Sequence, residues 1–445
     1  MSTAPTGGAS PTGPKFLALI LVAGLLGIPA ALVAALFLAA VQGMESALWH
    51  HLPRLLGATS PPWYLVLGLP LLGALIVLFA RTVLPGDGGN TPLEGLSSNP
   101  TPFSHAPGVA LAALGTLPFG AILGPEAPVI ALGSAIGMAA ARIARVGPRP
   151  RAVLSASGSF SALSALFEGP IVAGLLLVEA NLSLGSAAVA ILLPGLVAAA
   201  IGYLIFVGFG NFGGLNTPGL LVPHLSVYQG LHLGDLLIAI VVGVATALAI
   251  TLIRRVAMAI DALRLRPRGK PLLLLAGGLS VGVIALIAQR LGATPDDVLF
   301  SGQASVGTVA TATSATLVLV LFVAKALGYI VSLGCGFRGG PIFPAIFLGI
   351  ALASFPVAWF GMSPTLAIAV GAAAGMASQT RLLMAPLVFA ALLVGKDGFD
   401  AIPAAVLASV AAWVAVNALA RTPLTGSQVT EPARRTEPAP AAGGG

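Results

Sequence analysis

From residue 16 to residue 420 the chain is a succession of apolar segments separated by short polar turns. They lie near 16–42, 63–84, 107–122, 127–145, 152–165, 170–182, 186–209, 234–256, 271–292, 307–334, 341–358, 364–379, 382–396 and 401–420. A helix that crosses a bilayer needs about 20 apolar residues, because each residue advances about 1.5 Å through roughly 30 Å of hydrocarbon. Several of these segments are long enough. Several others, such as 170–182 and 382–396, are not, and must be tilted or re-entrant. Water is excluded as the solvent of this fold: 8% of the residues are charged and 57% hydrophobic, against about 25% charged in a soluble domain. The sequence therefore predicts an all-α integral membrane protein that crosses the bilayer many times.

The short segments cluster around glycine-proline breaks, one cluster in each half of the chain. Broken backbone at membrane depth is tolerated only where it is buried in protein or lines a watery cavity, and paired breaks in two halves point to repeats of inverted topology meeting at a midplane site. The expected organisation is a polar tail at 1–15, a transport domain at 16–422 with halves near 16–225 and 234–422, and a Pro/Ala/Gly-rich tail at 423–445. Both tails are expected to be disordered. The net charge of +7 resides in clusters between apolar runs: Arg142, Arg145, Arg149 and Arg151, then Arg254, Arg255, Arg264, Arg266, Arg268 and Lys270. That is the pattern of cytoplasmic loops, not of nucleic-acid binding. Glycines spaced four apart, Gly133–Gly137 and Gly371–Gly375, suit close helix packing.

Three acids lie inside or at the edge of apolar segments: Glu126, Glu168 and Glu179. A charged side chain at the bilayer centre costs about 2.5–3.5 kcal/mol on insertion scales, so each is a candidate for function. Glu126 sits in Leu123-Gly124-Pro125-Glu126-Ala127-Pro128. Pro128 suits the first turn of a helix, which would place the carboxylate at a helix N-terminus, where an anion is also attracted. Displaced or protonated, it would leave that place to a permeating anion; the bland alternative is a helix cap facing a loop. Glu168, in Phe167-Glu168-Gly169-Pro170, precedes a helix start and suits capping as well as transport. Glu179, 11 residues further on and so expected on the same helix face, is either a proton-path residue or a structural acid bonded to a neighbouring helix.

A second break reads Phe337-Arg338-Gly339-Gly340-Pro341-Ile342-Phe343-Pro344, and its amides beyond Pro341 are placed to face an anion. Lys325, upstream in an apolar run, either adds positive potential or snorkels to an interface. A third break, Gly88-Gly89-Asn90-Thr91-Pro92, is a surface turn or the opening of a short helix. Enzyme chemistry finds no support. Ser157 lies in an apolar region, but the five histidines are at segment edges or in loops, no HExxH spacing occurs, and Cys335 is the lone cysteine.

In order and spacing these breaks resemble those of the CLC chloride channel and transporter family, whose motifs are Gly-Ser-Gly-Ile-Pro, Gly-Lys/Arg-Glu-Gly-Pro and Gly-x-Phe-x-Pro. The counterparts are Gly88 to Pro92, Gly124 to Pro128 and Gly340 to Pro344, and the flanking Ile130 to Gly137 and Pro170 to Glu179 match as well. The resemblance implies a CLC-like inverted repeat with many tilted and re-entrant helices. It also implies a homodimer with one anion path per subunit. The low charge and the small-residue-rich tails fit a bacterial inner membrane, and no cofactor is expected. Glu126 aligns with the family's gating glutamate, and the implied anion contacts are Gly89, Asn90, Thr91, Gly124, Ala127, Gly340, Ile342 and Phe343. The departures are these: Gly89 replaces the anion-binding serine and Asn90 the next glycine, Pro125 stands for the basic residue, and Ile342 takes the Phe position with Phe343 after it. Pro125 and Pro341 each remove an amide donor, Ala180 replaces the inner glutamate of exchangers, and no tyrosine follows Tyr329 where the family has a pore tyrosine. The expected function is passage of chloride or a similar small anion, as a passive or voltage-gated channel or as a proton-coupled antiporter.

Overall fold

The computed structural model describes residues 13–95, 99–180, 187–208, 213–215, 222–223, 225–263 and 269–421. The expected tails lie outside these, except for residues 13–15. Pro14 takes the first position of the first helix and Gly13 its extended N-cap, so helix begins slightly earlier than the sequence suggested, as proline at that position allows. The helices are α1 (Pro14–Ser46), α2 (Leu52–Leu55), α3 (Trp63–Val83), α4 (Ala106–Thr116), α5 (Glu126–Ile143), α6 (Pro148–Leu166), α7 (Pro170–Ala180), α8 (Ala187–Val207), α9 (Leu233–Ala262), α10 (Gly269–Arg290), α11 (Pro295–Val298), α12 (Val306–Ala310), α13 (Ala315–Gly334), α14 (Ile342–Phe360), α15 (Pro364–Thr380), α16 (Met384–Val394) and α17 (Ile402–Arg421). The apolar run expected at 307–334 is divided. Thr311 to Ser314 interrupt it, and the Ser314 hydroxyl accepts from the Leu317 amide at 3.3 Å to cap α13.

Among the described residues, nine helical stretches are long and apolar enough to span a membrane. At 11 residues each, α4, α7 and α16 reach only about 16 Å, too short to span the hydrocarbon. The two halves share a plan. Helices α5 to α8 have 18, 19, 11 and 21 residues, and α14 to α17 have 19, 17, 11 and 20. Each series opens on the same sequence pattern, Gly-Pro-x-x-Pro, at Gly124 to Pro128 and at Gly340 to Pro344. The fold is an all-α, inverted-repeat membrane architecture.

Glycine sets the closest helix contacts. A Cβ at Gly137 would collide with the Leu154 carbonyl of α6, and one at Gly375 with the Ala345 carbonyl of α14. Both expected glycine pairs therefore serve helix packing, α5 on α6 and α14 on α15, where only the absence of a side chain lets backbones touch.

The stretch between α4 and α5 is irregular and buried, and its polar backbone is satisfied partly by local turns and partly from outside. The Ile122 amide donates to the Ser332 hydroxyl at 2.9 Å and the Trp49 indole to the Pro118 carbonyl at 2.9 Å. Gly124 and Gly340 complete the set: each amide donates to the other's carbonyl, at 2.7 and 2.6 Å, in an antiparallel bridge. That reciprocal pair ties the two halves together at their equivalent points.

Candidate functional site

Pro125 and Pro341 are the N-caps of α5 and α14. Their missing N–H groups cost nothing at a helix start, and the bridge immediately before them brings both N-termini to one place. Glu126, the first residue of α5, lies there with no exposed surface. Its carboxylate Oε1 accepts the Ile342 amide at 2.5 Å, and the amides of Phe343 and of Glu126 itself also act on it. Two helix N-termini thus converge on one negative group. The second oxygen, Oε2, is buried without a hydrogen-bond partner, a costly condition for a carboxylate.

The glycines shape this seat rather than donate to it. The amides of Gly124 and Gly340 are spent on each other, and a Cβ at either would collide with the Glu126 carboxyl group. Of the expected anion contacts, Gly124, Gly340, Ile342 and Phe343 therefore meet at Glu126, but only the last two have amides directed at it. Ala127 follows in the first turn of α5 and is partly buried. Beside the seat, the rings of Phe167, Phe343 and Phe389 pack with centroids 5.6–6.1 Å apart.

Glu126 lies between two cavities. One, of about 720 Å³, reaches Leu123, Pro125 and Phe343 and carries Glu45, Glu168, Asp296 and Asp297. The other, of about 630 Å³, reaches Pro341 and Ile342 and carries Arg254, Arg255 and Arg381 with Glu94 and Glu179. The first is acidic and the second basic, so potential falls in one sense across the carboxylate.

Glu168 and Glu179 do not share a face, contrary to the spacing argument. Glu168 sits in a left-handed turn with φ of 49°, ahead of Pro170 where α7 starts, so helical periodicity does not extend to it. The two acids open to opposite cavities. Glu179 accepts from the Leu383, Met384 and Ala385 amides at 3.3, 2.8 and 2.8 Å. It caps α16 from α7, which is the structural alternative read from the sequence.

The first glycine loop is occupied with its own turn. The Gly89 amide donates to Gly86 at 2.9 Å and the Thr91 carbonyl accepts from Glu94 at 3.0 Å. After Asn90 and Thr91 comes only a three-residue 3-10 turn, Pro92–Glu94, too short to carry a helix dipole.

A charge triad unforeseen from the sequence fixes this loop to the second break. Asp87 accepts from Arg81 at 3.0 and 3.1 Å and from Arg338 at 2.6 Å, and the Arg338 Nε also donates to the Asp87 carbonyl at 2.9 Å. Partial burial pushes the Asp87 carboxyl up. The Arg81 hydrogen bond and the charges of Arg338, Arg81 and Lys270 outweigh this and hold it below the ordinary carboxylate value. A lowered folded-state pKa contributes stability that is full above the unfolded value of about 3.9 and fades as pH falls through the folded one. Asp87→Asn leaves two guanidinium groups facing each other. Its expected cost is about 1–2 kcal/mol, less than for a buried pair because the Asp87 side chain is 55% exposed. Thermal unfolding at neutral pH checks this, and the gap from wild type should narrow as the pH falls through the folded-state value of Asp87.

Two further side chains were misjudged or missed. Lys325 does not snorkel: it is fully buried, its Nζ donates to the Leu299 carbonyl at 2.7 Å, and it lies 4.7 Å from the centre of the Phe347 ring. Tyr329 reaches the α14 N-terminus from α13, and its hydroxyl donates to the Pro341 carbonyl at 2.7 Å. A tyrosine therefore does stand at the site, delivered from within the second half rather than from the C-terminus. Ser157 bonds back to Val153 in its own helix at 2.8 Å and makes no nucleophile.

The sequence profile of the family described as voltage gated chloride channel matches residues 91–416. The chain is 30% identical over 358 residues to a putative ion-transport protein YfeO of Escherichia fergusonii, covering 77% of this chain and 79% of that protein. The corresponding protein of Escherichia coli is 30% identical over 361 residues, with the same coverage. Among solved structures, a slow cyanobacterial chloride/proton antiporter superposes with a TM-score of 0.72 at 17% identity, over 90% of this chain and 94% of that one. A CLC-type fluoride/proton antiporter superposes at 0.68 and 20% identity, over 90% and 95%.

Proposed function

Since the chain belongs to the CLC family of voltage gated chloride channels, a family of anion channels and transporters rather than enzymes, we propose that it passes chloride or a similar small anion through a path gated by Glu126, as a passive channel. The observation that carries this reading is the Glu126 carboxylate on the Ile342 amide, between an acidic and a basic cavity. The carboxylate holds the place of the anion and must leave for the anion to enter. Passive conduction is favoured on the basic side. Glu179 is engaged by three amides as the cap of α16, and Ala180 stands where the resemblance places the inner glutamate of exchangers. The protein acts as a homodimer with one path per subunit, in the lipid of a bacterial inner membrane, with the basic loops and the basic cavity cytoplasmic.

A second reading, proton-coupled antiport, draws on the same burial: a carboxyl between two cavities can take up a proton from one and release it to the other. Chloride efflux from liposomes, with external pH followed at the same time, separates the two. The expected result is chloride efflux without stoichiometric proton movement. Uphill proton movement driven by chloride would transfer the assignment to the antiporter. A wild-type protein that moves no small anion would end both readings.

A further inference from the structure

We propose that the basic cavity holds a small monovalent anion between the Ser378 hydroxyl and the Gln379 side-chain amide, at the C-terminal end of α15, with Arg254 as countercharge. The proposal rests on the anion-transport reading and names the anion's next station beyond the Ile342 amide.

Ser378 and Gln379 both line that cavity, at 2% and 7% exposure. Ser378 Oγ and Gln379 Nε2 are buried with no hydrogen-bond partner. Buried polar atoms are nearly always paired, so two adjacent orphans call for a ligand. The serine's situation differs from that of its neighbours. Ser354 and Thr380 bond back to the carbonyls of Ile350 and Met376, each at 2.7 Å, whereas the Ser378 hydroxyl does not.

Tyr329 explains why these two donors are needed. Its single hydroxyl proton is shared between the Pro341 carbonyl at 2.7 Å and Gln379 Oε1 at 3.3 Å, so it has none to offer an anion; the second contact holds the carbonyl end of the amide and leaves the nitrogen over.

The charge balance has the required sign. The C-terminal dipole of α15 is unfavourable to an anion. Against it stand Arg254, fastened by Nη2 to the Leu93 carbonyl at 3.2 Å, and Arg255 and Arg381 in the same wall. Of the two acids there, Glu94 is exposed and Glu179 is turned to the Leu383, Met384 and Ala385 amides. Hydroxyl, amide and guanidinium donors suit a halide or nitrate, which accepts hydrogen bonds and offers none.

Bromide is the probe, titrated calorimetrically into the purified full-length protein in detergent, with chloride efflux from liposomes measured in parallel. Ser378→Ala and Gln379→Leu should each weaken bromide binding roughly tenfold, and raise the half-saturating chloride concentration for efflux by the same factor. Gln379→Glu keeps the shape and reverses the charge, so it should abolish bromide binding at neutral pH while the protein stays monodisperse. Bromide affinity equal to wild type in all three variants overturns the site, and the cavity then holds water only; chloride efflux by the wild type would leave the function standing. A wild type that binds bromide through these residues but moves no anion upholds the site and overturns the function.

Discussion

Liposomes carrying Glu126→Ala should release chloride about ten- to a hundredfold faster than those carrying the wild-type protein, at a rate that no longer responds to pH. The factor follows from the contact removed. A hydrogen bond to a charged group contributes about 1.5–3 kcal/mol, and the carboxylate takes the Ile342 amide out of reach of any anion. In the wild type, acid should speed efflux, because a protonated carboxyl loses its charge and with it much of its hold on the two helix N-termini. Glu126→Gln imitates that state permanently and should behave as wild type does in acid. The unpartnered Oε2 makes displacement easier still, since the seated carboxylate is already incompletely satisfied. Efflux from Glu126→Ala that is no faster than wild type and equally sensitive to pH would place the gate elsewhere.

The fold was legible because length and apolarity settle most of it. The expected apolar segments correspond to helices with ends displaced by up to six residues, as where α4 stops at Thr116 and α9 runs on to Ala262, and one run is divided at polar Thr311 to Ser314. The seat was legible in part, because an acid between two prolines in an apolar run has few reasons to be there. The contacts that complete it were not, because they join residues far apart in the chain. Glu126 meets Ile342 across 216 positions, Glu179 meets Met384 across 205, and Asp87 meets Arg338 across 251. One signal was present in the letters. The Gly-Pro-x-x-Pro pattern at Gly124 and again at Gly340 marks the two points that the reciprocal bridge joins. Glu168 shows the opposite case, where periodicity misled: a left-handed residue ahead of a proline resets the helical count.

The same bridge yields a second expectation of comparable size and opposite direction. Gly340→Ala should lower chloride efflux at least about tenfold, and combining it with Glu126→Ala should not restore it. A Cβ at Gly340 would stand where the Glu126 carboxyl group now stands, and under the proposed function this is also the position an anion takes to reach the Ile342 amide. A methyl group there offers no hydrogen bond, and an anion forced past it loses hydration without compensation, at a cost of several kcal/mol. The double variant separates two accounts of the glycine. If Gly340 mattered only by seating the gate, removing the carboxylate would make the methyl harmless, and the double variant would run as fast as Glu126→Ala alone. If Gly340 keeps the anion's own place open, the double variant stays slow although no gate is left. The Gly124–Gly340 hydrogen bonds are backbone to backbone, so alanine retains them, and a monodisperse double variant reports on the path rather than on the fold.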